Sequence, residues 1–242
     1  DSFYAVVFEK ASGGHLHYNN WDNNFFQEWG EVVGKMHTLT KDYKPSAGIS
    51  RRKSWHQEKY IESMQNLLTG EDEILIEKGK DIIGFLMSLH KDRDSFGLIH
   101  SDIHSGNFFV DDNNFTLFDF DDCEYHWFIQ DIAISLFYAL WCPIAKKAPI
   151  SFAENFFTQF MMGYSRSNHL EFHWFDKLHY FLKLRELILY LMMKEELTLH
   201  EENNWTDWMQ KEVVRYRYNI ANDIPYIECN FSDIVEHMFV RS

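Results

Sequence analysis

The sequence predicts a mostly helical α+β protein, and three observations predict it. Apolar residues recur at helical spacing through most of the chain. Residues 108–118 instead carry two aromatic and β-branched runs on either side of a polar turn. Of the 242 residues, 45% are apolar and 17% aromatic, enough for one substantial core.

In chain order, residues 3–8 read as a buried strand, and Ala11-Ser12-Gly13-Gly14 as its exit into a flexible turn. Residues 25–39, with Trp29, Val32, Val33, Met36 and Leu39 at helical spacing, form an amphipathic helix. Further helices are predicted over 59–68 and 77–91. The second of these presents Ile82, Ile83, Leu86 and Leu89 to the core and leads straight into Leu98-Ile99-His100. Phe108-Phe109-Val110 and Phe115-Thr116-Leu117-Phe118 flank Asp111-Asp112-Asn113-Asn114 as a hairpin. Downstream the pattern is helical. Residues 129–141 are apolar enough for a central buried helix stopped near Pro143, with outer helices over 152–164, 174–195 and 204–221. Met161-Met162 and Met192-Met193 read as core. No internal repeat or low-complexity linker interrupts this order.

Composition excludes several classes. Lys and Arg number 23 against 37 Asp and Glu, a net charge of −14, which argues against a nucleic-acid backbone as the main partner. Such a balance chiefly confers solubility, and among partners it favours cationic small molecules or proteins. The one basic cluster, Arg51-Arg52-Lys53, lies in a loop near Pro45 and Gly48, open to phosphate or to solvent. Cys123, Cys142 and Cys229 are odd in number and unevenly spaced, which suits free thiols in a cytoplasmic setting and gives no zinc spacing. The apolar runs at 132–142 and 187–193 fall short of the ~20 residues that span a bilayer, and no signal-peptide pattern is present.

The chemistry concentrates in His100-Ser101-Asp102-Ile103-His104-Ser105-Gly106-Asn107, with Asp119-Phe120-Asp121-Asp122 beginning twelve residues after the Asn. If the hairpin pairs, Asn107 at one open end faces the region of Asp119 at the other, and Asp102 lies on the loop feeding in. An amide oxygen and a carboxylate are hard ligands suited to Mg²⁺, which keeps several waters and leans on substrate phosphates. Asp102, five residues before the Asn, is then placed to accept a hydroxyl proton. Any one of these carboxylates alone is more often a cap or turn residue; the two motifs in order, linked by a hairpin, carry the reading.

The pattern His-x-Asp-x-x-x-x-Asn followed by Asp-Phe-Asp-Asp resembles the aminoglycoside phosphotransferase and choline kinase superfamily. Its protein-kinase relatives carry His-Arg-Asp-x-x-x-x-Asn and Asp-Phe-Gly. Asp121 stands where a protein kinase has that Gly. The run from Asp119 to Asp122 with His126-Trp127-Phe128 and Asp131 also resembles the bacterial stress-response kinase and homoserine kinase branch.

The resemblance implies a protein-kinase-like C-terminal lobe with a small catalytic β-hairpin, and an ATP- and Mg²⁺-dependent transfer of the γ-phosphate to a hydroxyl of a small molecule. Asp102 would accept the proton of that hydroxyl. Asn107 and Asp119, with Asp121, would hold Mg²⁺, and Asp121 or Asp122 would assist or meet the substrate. His100, within the catalytic loop 100–107, would brace it, Asp131 would anchor its backbone from behind, and His104 is left without an assigned role. Residues 1–14 would be the last strand of an N-terminal lobe and the hinge, with the backbone of Glu9, Lys10 and Ala11 meeting adenine. Residues 15–242 would be the helical lobe, with 119–122 its metal segment. A glycine-rich phosphate loop and a strand Lys of the Val-Ala-Ile-Lys type are lacking, so the N-terminal lobe is expected to be largely missing and this chain alone to bind ATP weakly and turn over little.

Trp174, Phe175, Tyr180, Glu186 and Trp205 are candidate acceptor-pocket residues, with helix core the competing role for each. Three other readings are a protein Ser/Thr kinase of the same superfamily, a kinase-like binding module without catalysis, and a zinc hydrolase using His100, Asp102 and His104 at alternate positions.

Overall fold

A computed structural model describes residues 7–112, 114–199 and 206–240. The first helix, α1 (Asn23–Thr40), starts where Asp22 accepts a hydrogen bond from the Phe25 N–H at 2.8 Å. It buries Phe25, Phe26, Trp29, Val33 and His37. Next come α2 (Lys59–Leu67) and α3 (Glu73–Met87). Four short strands follow, β1 (Phe96–Ile99), β2 (Phe108–Asp111), β3 (Asn114–Leu117) and β4 (Glu124–Trp127). The remaining helices are α4 (Phe128–Ala139), α5 (Pro149–Tyr164), α6 (Leu178–Leu199), α7 (Asp207–Ala221) and α8 (Phe231–Val240).

Two antiparallel pairs make up the sheet structure. β2 and β3 form the expected hairpin, with Phe108 opposite Leu117 and Asp111 opposite Asn114. β1 pairs β4, with Phe96 opposite Trp127 and Ile99 opposite Glu124. This second pair frames residues 100–107, because that loop leaves from the end of β1 and the chain returns to it at the start of β4.

The core surrounds α4, in which every residue except Tyr138 is buried. Helix α6 packs along it on one side, and α1 with α5 closes the other. α1 and α5 meet almost backbone to backbone. A Cβ on Gly30 would lie 1.9 Å from the Phe160 carbonyl oxygen, and one on Gly163 would lie 1.8 Å from that of Gln27. Only glycine fits at either position. Trp21, Phe25, Trp29, Phe108 and Phe156 continue this contact as an aromatic cluster onto the hairpin.

Several expectations are revised. Of the strand predicted at 3–8, residues 3–6 lie outside the described residues. Val7 and Phe8 are not strand and are 93% and 83% exposed, since no described strand offers their backbone a partner. The turn that follows is not free: Gly14 exchanges backbone hydrogen bonds with Val110 at 2.9 and 3.2 Å, which ties residues 11–14 to β2.

The helix expected over 77–91 runs instead over Glu73–Met87, because the Ser88 hydroxyl turns back to the Phe85 carbonyl at 2.6 Å and ends it before Leu89 continues the apolar spacing. Residues 172–177 are a 3-10 turn burying Trp174 and Phe175, so the long helix begins at Leu178. α8 and the β1–β4 pair were not predicted. Among the described residues all three cysteines are free thiols, and no helix is long and apolar enough to cross a membrane.

Candidate active site

The loop from β1 to β2 is held from below by one buried carboxylate. Asp131, in the first turn of α4 and fully buried, accepts hydrogen bonds from the His100 N–H at 3.0 Å and the Ser101 N–H at 2.8 Å. Its Oδ2 also lies 3.0 Å from His37 Nε2, whose Nδ1 meets the Tyr164 hydroxyl at 2.9 Å. These contacts hold Ser101 at φ +68°, a backbone region that costs a non-glycine residue of order 1 kcal/mol unless its surroundings impose it. The Ser101 hydroxyl donates to Glu124 Oε1 at 2.8 Å, which joins the loop to β4.

Asp102 follows the strained residue and meets three side chains. Arg185 Nη2 donates to Oδ1 at 2.5 Å, and Asn107 Nδ2 donates to Oδ2 at 3.0 Å. His104 Nε2 is 3.3 Å from Oδ2, and because its Nδ1 accepts from the Gly106 N–H at 2.9 Å, its proton sits on the nitrogen facing Asp102. Burial pushes the Asp102 carboxyl up, but the His104 hydrogen bond and the Arg185 guanidinium outweigh it, so its pKa lies below the usual aspartate value. It is therefore a carboxylate at neutral pH.

Asn107 donates its amide N–H also to the Asp102 carbonyl oxygen at 2.9 Å, which turns its amide oxygen away from Asp102. The hairpin register brings the metal segment alongside: the Phe118 N–H donates to the Asn107 carbonyl oxygen at 3.1 Å. Asp119, one residue on, is exposed at φ +62°. His100 is buried with its Nε2 3.1 Å from the Phe118 carbonyl oxygen and its ring against Phe120, so it braces the metal segment against the loop. Arg52 donates to the carbonyl oxygens of Asp121, at 2.9 Å, and Phe120, at 3.4 Å; the basic cluster thus pins the chain after Asp119. The side chains of Asp121 and Asp122 are exposed.

Among the described residues no three His, Cys, Asp or Glu side chains converge as a metal cluster. That disfavours a zinc site on His100, Asp102 and His104, whose rings are committed to Phe118 and Asp102. It suits Mg²⁺, which takes one or two protein oxygens and completes its shell with water and phosphate. The amide oxygen of Asn107 and the exposed carboxylate of Asp119 are the residues that could supply such oxygens. Glu9 and Lys10 are exposed and Ala11 is half-buried, ahead of Gly14, which bridges to Val110 of the hairpin.

Asp102 lies in the wall of the smaller of two neighbouring cavities. A polar one of about 220 Å3 is lined by Asp102, Ser101, Glu124, Gln130 and Arg185, among others. A larger, more open and more apolar one of about 800 Å3 lies over His104, between Tyr138, Trp141, Met192 and Trp208. Tyr138, Leu189 and Met192 line both. The candidate pocket residues Trp174, Phe175 and Glu186 are instead buried in the core, and Tyr180 stacks on Phe85 with centroids 3.8 Å apart. Trp205 lies outside the described residues.

Arg185, Tyr138, Glu124 and His37 were not found from the sequence. Arg185 had a signal: with Glu186 it places adjacent opposite charges in the otherwise apolar stretch from Leu184 to Met193, where a charge is retained only with a partner.

Comparison with known proteins follows the same chemistry. The family model described as the phosphotransferase enzyme family matches residues 3–168. An amicoumacin kinase of Bacillus subtilis (strain 168) is 35% identical over 237 residues, covering 97% of this chain and 69% of that protein. Among solved structures, an amicoumacin kinase in complex with AMP-PNP, Ca²⁺ and Ami superposes with a TM-score of 0.85 at 28% identity, over 93% of this chain and 67% of that one. An ethanolamine kinase of Plasmodium vivax shares the fold, with a TM-score of 0.63 at 15% identity over 91% of this chain and 68% of its own. The loop from His100 to Asn107 and the segment from Asp119 lie within the matched region, and on that match and the amicoumacin kinase identity the chain belongs to the phosphotransferase enzyme family.

Proposed function

We propose that this chain carries the phosphoryl-transfer centre of a kinase that moves the γ-phosphate of ATP to a hydroxyl of a small organic molecule, with amicoumacin as the acceptor to test first. The observation that carries the reading is Asp102, an ionised, immobilised carboxylate on the wall of a cavity of about 220 Å3, hydrogen-bonded to Asn107. The amicoumacin assignment rests on the likeness to amicoumacin kinases.

Phosphoryl transfer asks mainly for positioning and neutralisation of charge. Asn107, through its amide oxygen, and Asp119, through its carboxylate, would hold Mg²⁺ on the nucleotide phosphates, with Asp121 next along the segment. A metal held by these residues would supply positive charge to offset the charge that builds on the phosphates. Asp102 hydrogen-bonds the acceptor hydroxyl and takes its proton as the new O–P bond forms and the bond to the departing ADP oxygen breaks. A low-pKa carboxylate serves, because the proton moves late in a loose transition state. Arg185, His104 and Asn107 fix the rotamer of Asp102, and enclosure of the cavities favours a small molecule over a protein segment. The backbone of Glu9, Lys10 and Ala11 is proposed to meet adenine. The chain covers 67% of the solved amicoumacin kinase.

The test is isothermal titration with AMP-PNP, with and without Mg²⁺. Binding that requires Mg²⁺ and is weakened by Asp119→Ala is the expected result. Absence of binding, or binding indifferent to Mg²⁺, would overturn the reading.

A further inference from the structure

The backbone enters Asp102 from Ser101, so the way Ser101 is turned decides where Asp102 points. Asp131 fixes the peptide planes leading in, because it accepts from the N–H groups of both His100 and Ser101. Those two bonds leave one rotation open, that about the N–Cα bond of Ser101. It stands at φ +68°, in the left-handed region where a residue bearing a Cβ is strained unless its contacts impose the turn. The Ser101 hydroxyl supplies that contact by donating to Glu124 Oε1 at 2.8 Å. With its N–H held by α4 and its side chain held by β4, Ser101 can no longer turn.

Glu124 is itself firmly placed. It is buried at the start of β4, opposite Ile99 of β1, and the next residue, Tyr125, donates its N–H to the Lys53 carbonyl oxygen at 2.9 Å. Among the described residues its carboxyl makes one hydrogen bond, that from Ser101, while Oε2 has no partner. Burial pushes the carboxyl up to about 7 against that bond. It lines the same cavity as Asp102, and a carboxyl displaced so far beside a reacting group marks a part of the site.

Building on the kinase reading above, we propose that Glu124 is a positioning residue for phosphoryl transfer, which through the Ser101 hydroxyl holds the left-handed turn that aims Asp102 at the acceptor hydroxyl. The hold acts on one backbone rotation. Its loss misdirects Asp102 and leaves the nucleotide contacts in place, and a residue that adopts φ +68° without strain does not need it. Glycine is such a residue.

The test is a double-mutant cycle on phosphate transfer from Mg²⁺–ATP to amicoumacin in the intact natural protein. Glu124→Leu removes the acceptor of the Ser101 hydroxyl and is expected to lower kcat by about tenfold or more, with the KM for ATP within about twofold. Glu124→Gln keeps a carbonyl oxygen at that position and is expected to recover kcat to within about threefold of the wild type. Made on top of Ser101→Gly, Glu124→Leu is expected to change kcat by less than about twofold relative to Ser101→Gly alone. Ser101→Ala removes the hydroxyl and leaves Glu124 in place; it is expected to show the same loss as Glu124→Leu and gives the comparison should that variant fail to fold. A kcat unchanged by loss of either partner, or an equal loss from Glu124→Leu in both backgrounds, would overturn the proposal.

Backbone hydrogen exchange reads the same hold without an acceptor. The amides of residues 100–104 are expected to exchange faster in Glu124→Leu than in the wild type and at the wild-type rate in Glu124→Gln; unchanged exchange in Glu124→Leu would overturn the proposal. No transfer to amicoumacin by the wild-type protein would overturn the acceptor reading, and the exchange comparison would still decide whether Glu124 holds the loop.

Discussion

Asp102 works as a proton acceptor only while it is ionised, and its neighbours set that range. Burial alone would raise its carboxyl; the His104 hydrogen bond and then the Arg185 charge bring it below the ordinary value. Because the folded value is depressed, the group stabilises the fold above its unfolded pKa and that contribution disappears as the pH falls through the lower folded one. Removing the Arg185 charge lifts the Asp102 carboxyl, so the acid limb of the kcat/KM profile in Arg185→Gln is expected at higher pH than in the wild type. An unshifted limb would mean that Arg185 does not tune the base.

Glu186 behaves in the opposite sense. Burial pushes it up to about 7 from 4.5, against a hydrogen bond from the Asn219 amide at 2.9 Å. The native state then keeps a proton that the unfolded chain has already released, so the wild type loses stability as the pH rises from about 4.5 to about 7. Glu186→Gln does not titrate. Urea unfolding at pH 5 and pH 8 is expected to show the variant gaining on the wild type by on the order of 3 kcal/mol at the higher pH. A gap independent of pH would contradict the buried, protonated assignment.

At the level of elements, the α1–α5 crossing and the α4 anchor are the two places where a single change is felt most. Gly30→Ala drives a methyl group into the Phe160 carbonyl, an overpacking that costs about 1–3 kcal/mol or more, and a melting temperature lower by roughly 5 °C is the expected result in a thermal scan. Asp131→Ala leaves the N–H groups of His100 and Ser101 without their acceptor and takes the partner from buried His37. A loss of about 3–5 kcal/mol in denaturant unfolding is expected. A change under about 1 kcal/mol would show the loop to be held by other contacts.

These elements differ in how legible they were. The periodicity of Trp29, Val33 and Met36, and the apolar residues crowded from Ile132 to Leu140, made those helices plain. The hairpin was equally plain from its aromatic runs around a polar turn. β4 was not: Glu124-Tyr125-His126-Trp127 is buried on both faces, so it does not alternate, and its polar members read as loop. α8 was missed because ten residues after an irregular stretch give too little periodic signal.

At the scale of the whole molecule, the motif residues and the residues that position them come from different parts of the chain. Asp102, Asn107 and Asp119 are local in sequence, and spacing was enough to pick them out together as candidates. Arg185 reaches Asp102 across 83 residues and Trp55 reaches the polar cavity from before α2, so neither was visible until α6 and the β1–β4 pair were placed. The proposed acceptor pocket is likewise a product of tertiary packing. Residues chosen for it on aromatic character, such as Trp174 and Phe175, went to the core, while the cavity walls drew on Tyr138, Trp141 and Met192.

The central claim is that Asp102 accepts the acceptor's proton in phosphoryl transfer. It is tested most directly by the rate of phosphate transfer from Mg²⁺–ATP to amicoumacin in the intact natural protein and its Asp102→Asn variant. The substitution keeps the shape of the side chain and removes its basicity. The account predicts a kcat lower by roughly 10²–10⁴-fold with the KM for ATP little changed. Equal rates in the two proteins would contradict it.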